Sequence, residues 1–294
     1  MNVLTFGSRF YGGQIDRIDE GFIHFNHYVN NFLGCPDLIY ANDASNYNAA
    51  IGKWLDWDRK PILIFNVLDC PNFLPSWLDI HETWNSQLNL ANGVTCISES
   101  VQRDIKNYFN IDATIIYNPV KNLCSIYREN TQKTIPFLYV GRANSPNKRF
   151  DLIKQTFKLA RWEENILFVV GSEDPHFGQF QGVIDDSKLN LIYNVSKFTL
   201  LPSSFEGLGL PAIEAMVCGS IPIICNDNPA TSEFVPQEFI SEPTPEAYLE
   251  KITELHKDYE KYQKLALAHG DLHREFLSGK SVAQRILNIY YDLI

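Results

Sequence analysis

Two short segments hold residues whose types and spacing could do chemistry. The first is Pro202-Ser203-Ser204-Phe205-Glu206-Gly207-Leu208-Gly209-Leu210-Pro211-Ala212-Ile213-Glu214-Ala215-Met216. A strand ends, a glycine-rich turn follows, and Pro211 suits the first helical position. The glycines let backbone come close to a ligand. A helix N-terminus presents unpaired N–H groups and the positive end of a dipole, which together favour an anion. Glu206 falls in the turn and Glu214 one turn into the helix. A carboxylate touching an anion would repel it. The two glutamates are therefore expected to accept hydrogen bonds from neutral hydroxyls flanking the anion, such as a ribose diol and a sugar. The second segment is Val140-Gly141-Arg142-Ala143-Asn144-Ser145-Pro146-Asn147-Lys148-Arg149-Phe150-Asp151. A strand ends in Gly141-Arg142, and Lys148 opens the next helix. Arg offers a bidentate fork and Lys a point charge, a suitable pair for two phosphates. Either cation alone would read as solvated surface. Their shared position at strand C-termini of one half of the chain is what points to a site.

The elements that must position them follow from the apolar pattern. Val3–Phe6, Leu38–Tyr40, Pro61–Phe65, Val94–Ile97 and Ala113–Tyr117 read as strands. Helical patterns at Ile15–Leu33, Ala44–Leu55, Ile80–Leu90 and Glu99–Phe109 separate them, the last capped by Ser98. Lys121–Thr134 is polar, without a period, and reads as a linker. The pattern restarts with strands at Pro136–Val140, Ile166–Val170, Phe198–Leu201 and Ile221–Ile224. Helices are expected at Phe150–Arg161, Lys188–Val195, Pro211–Cys218, Pro245–Ala268 and Ser281–Ile294. Continuous apolar strands alternating with helices indicate parallel sheets covered on both faces. The predicted fold class is α/β, with two Rossmann-like domains facing a cleft. Ligands in such folds bind where strand C-termini meet helix N-termini.

Length and composition agree. A chain of 294 residues fits about two domains. With 45% hydrophobic and 20% charged residues it is globular rather than disordered. The formal charge of −10 argues against non-specific nucleic-acid binding, which needs a cationic surface. No stretch has the length of a transmembrane helix, and the N-terminus lacks the basic region and cleavage site of a signal peptide. The six cysteines, Cys35, Cys70, Cys96, Cys124, Cys218 and Cys225, form no C-x-x-C pair. That scatter suits a reducing cytoplasm and gives no zinc pattern. Several motifs are decoys. Asp56-Trp57-Asp58 spells a metal-binding D-x-D but lies between a helix and a strand, on the wrong side of the sheet. Gly279-Lys280-Ser281 resembles the end of a P-loop but lacks the upstream glycine and strand. His24/His27 and His269/His273 have no evident third ligand. Trp54, Trp57, Trp77 and Trp84 read first as core, with sugar stacking a weaker alternative.

The two segments resemble the nucleotide-sugar site of retaining glycosyltransferases of the GT-B fold, specifically glycosyltransferase family 4. The pattern E-G-x-G-L-P-x-x-E is matched from Glu206 to Glu214, and Gly-Arg followed by Lys six residues after the Arg is matched by Gly141, Arg142 and Lys148. Ile116-Tyr117-Asn118-Pro119-Val120 resembles the element closing the N-terminal half. Ile97–Ser100 and the paired Gly12 and Gly13 also fit. The resemblance is specific over about 135–235 and diffuse before that.

The resemblance implies a catalytic set. Arg142 and Lys148 would neutralise the diphosphate leaving group, and Glu206 would hold donor-sugar hydroxyls. Donor binding would fall to Gly12, Gly13, Gly141, Ser203, Gly207, Leu208, Gly209, Leu210 and Glu214, with Glu214 on the ribose. The activity implied is transfer of a hexose from a nucleoside-diphosphate sugar to a glycan, lipid-linked or other acceptor. Anomeric configuration would be retained, without a cofactor or obligatory metal, in a cytoplasmic enzyme with at most peripheral membrane contact. The domains implied are 1–121 on the acceptor side, rejoined by a C-terminal helix over 281–294, and 135–280 on the donor side. The sequence departs from the family in one respect. Where many members carry a His near the end of an N-domain strand, this chain reads Ile64-Phe65-Asn66-Val67-Leu68-Asp69-Cys70. Asn66, Asp69 or His81 are the candidate substitutes. Three other functions fit the fold: a catalytically silent sugar-nucleotide-binding protein, a glycosyltransferase acting on nucleic acid, and epimerase or phosphorylase chemistry, which matches these motifs less well.

Overall fold

The computed structural model describes residues 1–7, 14–31, 33–70, 77–120 and 131–294. Gly12, Gly13, Cys124 and most of the expected linker lie outside the described residues. The chain forms two compact units, Met1–Lys121 with Phe276–Ile294, and Asn122–Glu275.

The first unit runs β1 (Asn2–Phe6), α1 (Gln14–His24), β2 (Tyr28–Val29), β3 (Leu38–Ala41), α2 (Tyr47–Leu55), β4 (Ile62–Val67), α3 (Trp77–Leu88), β5 (Gly93–Cys96), α4 (Glu99–Phe109) and β6 (Thr114–Ile115). Its six strands pair in the order β2-β1-β3-β4-β5-β6, every pair parallel. Apolar side chains fill both faces of the central strands, so β3 is buried throughout and β4 nearly so. Ser98 caps α4 as its type requires, accepting from the Val101 amide at 3.2 Å, and Asn110 closes the helix in the left-handed conformation. The helix expected over Ile15–Leu33 ends at His24 instead. Asn26 and Asn30 take positive φ (59° and 52°), which breaks the helix. Asn30 then pins the chain beside β1: its Oδ1 accepts from the Thr5 amide at 2.9 Å, and its Nδ2 donates to Thr5 Oγ1 at 2.8 Å. The turn frees β2 to pair with β1.

The second unit runs β7 (Ile135–Val140), α5 (Phe150–Ala160), β8 (Leu167–Val170), β9 (Gln179–Phe180), α6 (Asp186–Val195), β10 (Ser196–Leu201), α7 (Leu210–Val217), β11 (Ile221–Cys225), α8 (Pro229–Ser232), β12 (Ile240–Ser241), α9 (Pro245–Lys257) and most of α10 (Tyr259–Phe276). The strand order is β12-β11-β10-β7-β8-β9, again all parallel. One core cluster, including Phe137, Phe157, Leu200, Ile223 and Tyr248, packs one face of this sheet. Another, including Leu138, Tyr193 and Ala215, packs the other. The single helix expected over Pro245–Ala268 breaks at Asp258 into α9 and α10.

α11 (Gly279–Leu293) returns to the first unit, where Val282, Ala283, Ile286 and Leu287 join its core. Ser278 caps it by accepting from the Ser281 amide, so the Gly279-Lys280-Ser281 sequence is a helix start. Gly279 and Gly21 let α11 and α1 cross at backbone contact. A Cβ on Gly21 would lie 2.2 Å from the Gly279 oxygen, and one on Gly279 2.1 Å from the Arg17 oxygen. Buried Arg17 donates to the Pro119 oxygen at 2.8 Å, and the Val120 amide donates to the Leu277 oxygen at 2.9 Å. Among the described residues no helix is long and apolar enough to cross a membrane, and the described cysteines are free thiols.

Candidate active site

β7 and β10 are neighbours at the centre of the second sheet, so their C-terminal exits lie side by side. The two exit loops are stitched together by backbone. The Ser204 amide donates to the Asn147 oxygen at 2.8 Å, and Asn147 Nδ2 donates to the Phe205 oxygen at 3.1 Å. Lys148 ends a 3-10 turn, Pro146–Lys148, that precedes α5. This turn and the stitching carry Lys148 Nζ to within 2.5 Å of Glu206 Oε1. The two side chains are 14% and 18% exposed, so their charges meet with little intervening water. Arg142 is exposed and makes no ion pair with another described residue.

Two neighbouring exits brace the first two. Arg149, at φ +46°, sets both guanidinium nitrogens on Asp227 after β11, at 3.0 and 2.6 Å. This charge-assisted fork holds Arg149 firmly protonated. A positive φ is costly for a residue with a side chain, and the bidentate contact holds it there. At the exit of β8, Glu173 Oε2 accepts from the Asn144 amide at 3.1 Å. A Cβ on Gly171 would lie 2.0 Å from the Gly141 oxygen, so the β7 and β8 exits can approach only because Gly171 has none. Four loops thus converge on one end of the sheet, where α/β folds bind ligands.

The glycine-rich turn has its own constraint. Gly209 sits at φ +80°, and a Cβ there would lie 2.2 Å from Thr231 Oγ1. α7 begins just after it, with Pro211 in its first turn. Ser203 and Leu208 are buried beside the turn. Glu214 lies inside α7, 4% exposed, and its Oε2 accepts from the Tyr193 hydroxyl at 3.3 Å. The second unit therefore brings together Gly141, Arg142, Lys148, Ser203, Glu206 and Gly207–Leu210. It sets Glu214 one helical turn deeper.

Two candidates in the first unit, Asn66 and His81, are engaged elsewhere. Asn66 is fully buried. Its Nδ2 donates to Asn42 at 2.8 Å, its Oδ1 accepts from Thr95 at 2.7 Å, and its carbonyl accepts from Tyr47 at 2.7 Å. It knots three strand ends and offers nothing outward. His81 stacks on Phe109 at 4.9 Å, and its Nε2 lies 2.9 Å from the Tyr108 oxygen, tying α3 to the end of α4. Asp69 follows β4, just before the undescribed residues 71–76. Asp56 pairs with Lys53 at the surface end of α2. Among the described residues no three His, Cys, Asp or Glu are grouped to hold a metal.

Sequence reasoning missed Arg149, Asp227, Glu173 and Thr231. Asp227 was findable, because it follows a strand at the ligand-binding end of the sheet. Arg149 was not, since nothing in its type signals a left-handed turn.

The arrangement can hold an anion between Arg142, Lys148 and the start of α7, with carboxylates ready for hydroxyls beside it. The chain is 25% identical over 146 residues to O-antigen chain mannosyltransferase B of Escherichia coli, covering 48% of this chain and 37% of that protein. It is 28% identical over 157 residues to O-antigen chain mannosyltransferase RfbU of Salmonella typhimurium, covering 48% and 43%. The matched part is thus less than half the length of these relatives. Sucrose-phosphate synthase from Thermosynechococcus elongatus superposes with a TM-score of 0.79 at 14% identity, over 100% of this chain and 99% of that one. HepE of Anabaena, solved with UDP-glucose, gives 0.79 at 16% identity, over 99% and 100%. At such identity the likeness is one of fold, the two-unit α/β GT-B fold. Residues 127–268, which carry Arg142, Lys148, Glu206 and Glu214, match the family model of the glycosyl transferases group 1.

Proposed function

We propose that this chain transfers a hexose from a nucleoside-diphosphate sugar to a hydroxyl of a glycan or lipid-linked acceptor, with retention and without an obligatory metal. The observation that carries the reading is the junction of the β7 and β10 exits, where Lys148 meets Glu206 beside exposed Arg142 and the start of α7. Its relatives named for O-antigen mannosyl transfer favour a hexose donor and a glycan acceptor.

The chemistry asked of these residues is electrostatic. The bond from the anomeric carbon to the diphosphate oxygen breaks as the acceptor oxygen bonds to the same face of that carbon. The acceptor proton passes to the departing phosphate, the nearest base on that face. Negative charge on the diphosphate grows along this path. Arg142 and Lys148 therefore stabilise the transition state more than the bound donor. Glu206 holds sugar hydroxyls, and Glu214, one turn into α7, serves the ribose.

A panel of UDP-, GDP- and ADP-sugars tests this by thermal shift and donor hydrolysis, with and without EDTA. One donor should stabilise the protein and be hydrolysed slowly at a rate EDTA leaves unchanged. Absence of both effects across the panel would overturn the donor assignment, and EDTA sensitivity would overturn metal independence.

A further inference from the structure

Tyr139 is a buried polar side chain at this end of the sheet with no task in the proposed reaction. It sits next to last in β7 and is 1% exposed. Its ring packs edge-on against Phe150 at 4.8 Å. Its hydroxyl is buried and meets no hydrogen-bond partner among the described residues. Phenylalanine would fill the same space without stripping a hydroxyl of its water.

The hydroxyl points to the ligand end of the strand, since a Cβ on Gly141 would lie 3.1 Å from it. The charges acting on it are first Glu206, then Glu173, opposed by Arg142. Burial above all, and then the two carboxylates, push the phenol far above its ordinary range, so it remains an O–H donor at any working pH. Of the two carboxylates, Glu173 already accepts from the Asn144 amide. Glu206 is the one whose partner must change. Lys148 has a single ammonium, and both Glu206 and an incoming diphosphate claim it. A carboxylate only 18% exposed that loses its cation needs a replacement donor.

We infer that Tyr139 is a positioning residue for Glu206. When a nucleotide sugar draws Lys148 toward its diphosphate, the released carboxylate accepts the Tyr139 hydroxyl and is held ionised, facing the sugar. This rests on the nucleotide-sugar reading of the site.

Tyr139→Phe in the full chain tests it, alone and combined with Glu206→Gln. The readouts are the Tm of the free protein, the thermal shift with UDP, GDP and ADP, and kcat and KM for the preferred donor. The free protein should melt no lower than wild type, and the nucleoside-diphosphate shift should persist. Turnover should fall about ten- to a hundredfold, the scale of one hydrogen bond to a charged group. Added to Glu206→Gln, the substitution should cost nothing more. Unchanged turnover would overturn the inference, as would a loss fully additive with Glu206→Gln or matched by a lower Tm. A wild-type protein that neither binds nor hydrolyses any donor would instead overturn the nucleotide-sugar reading, and this inference with it.

Discussion

Lys148 and Glu206 neutralise each other at 2.5 Å, so neither presents its full charge until a ligand separates them. Removing either should therefore lower turnover. Lys148→Ala and Glu206→Ala should each cut turnover by at least about 10²-fold, the usual scale for a lost transition-state contact. The Tm should fall as well, because removing one partner leaves the other charge unpaired at a position only 14% or 18% exposed. Near-wild-type turnover in either variant would remove that residue from the site. Glu206→Gln separates binding from chemistry. It deletes the negative charge competing for Lys148, so nucleoside diphosphate should bind more tightly while donor turnover falls. Titration calorimetry with UDP and GDP checks this, and weaker binding would mean that Glu206 does not oppose the anion. The placement of Glu206, Glu214, Arg142 and Lys148 at strand exits and a helix start was legible in the sequence; the pairing of Lys148 with Glu206 was not. Nor was the Arg149–Asp227 fork, because its partners are 78 positions apart, follow β7 and β11, and meet only through the sheet order β7-β10-β11.

At the scale of elements, the turn into α7 and the end of that helix make separate predictions. Gly209→Ala adds a Cβ 2.2 Å from Thr231 Oγ1 at φ +80°. Strain of this kind costs about 1–3 kcal/mol, so the Tm should drop by several degrees and turnover should fall with the displaced Glu206. An unchanged Tm would show that the turn yields without cost. At the other end of α7, Lys133 Nζ donates to the Cys218 oxygen at 3.0 Å, and burial pushes its ammonium down to about 8. An unfolded lysine keeps its proton to about 10.4. Between those pH values the unfolded chain binds more protons, so this residue makes stability rise with pH. The Tm advantage of Lys133→Met over wild type should be greatest at pH 7 and shrink by pH 9.5. A gap independent of pH would place the lysine outside the folded-state titration. The long strands were legible from their apolar runs. β2, β6, β9 and β12, of two residues each, were missed or overdrawn, because two residues carry no period and their pairing is set by the sheet they join. The early end of α1 turned on Asn26 and Asn30, whose tolerance of positive φ outweighed the helical pattern around them.

For the whole molecule, the sequence marks α11 as a helix, and the family resemblance suggests its return, but its resting place depends on the backbone crossing at Gly21 and Gly279. The core of the first unit draws on both chain ends, from Val3 and Ile18 to Ile286 and Leu287. The donor-side candidates that the structure describes lie in the second unit, whose core clusters contain none of those residues. The units should therefore respond separately to damage. Gly21→Val places a branched side chain where a Cβ alone would approach the Gly279 oxygen to 2.2 Å, forcing α1 and α11 apart. Overpacking of this kind costs about 1–3 kcal/mol. Gly52→Ala is the control: a Cβ there meets nothing within 4 Å, and alanine is the better helix former by roughly 0.5–1 kcal/mol, so the protein should gain stability. In Gly21→Val, calorimetry should show the first unit melting earlier as a separate transition. Nucleoside diphosphate should still bind and still raise the melting of the second unit. Loss of nucleotide binding together with the first transition would mean that the anion site draws on residues of the first unit, Gly12 and Gly13 foremost.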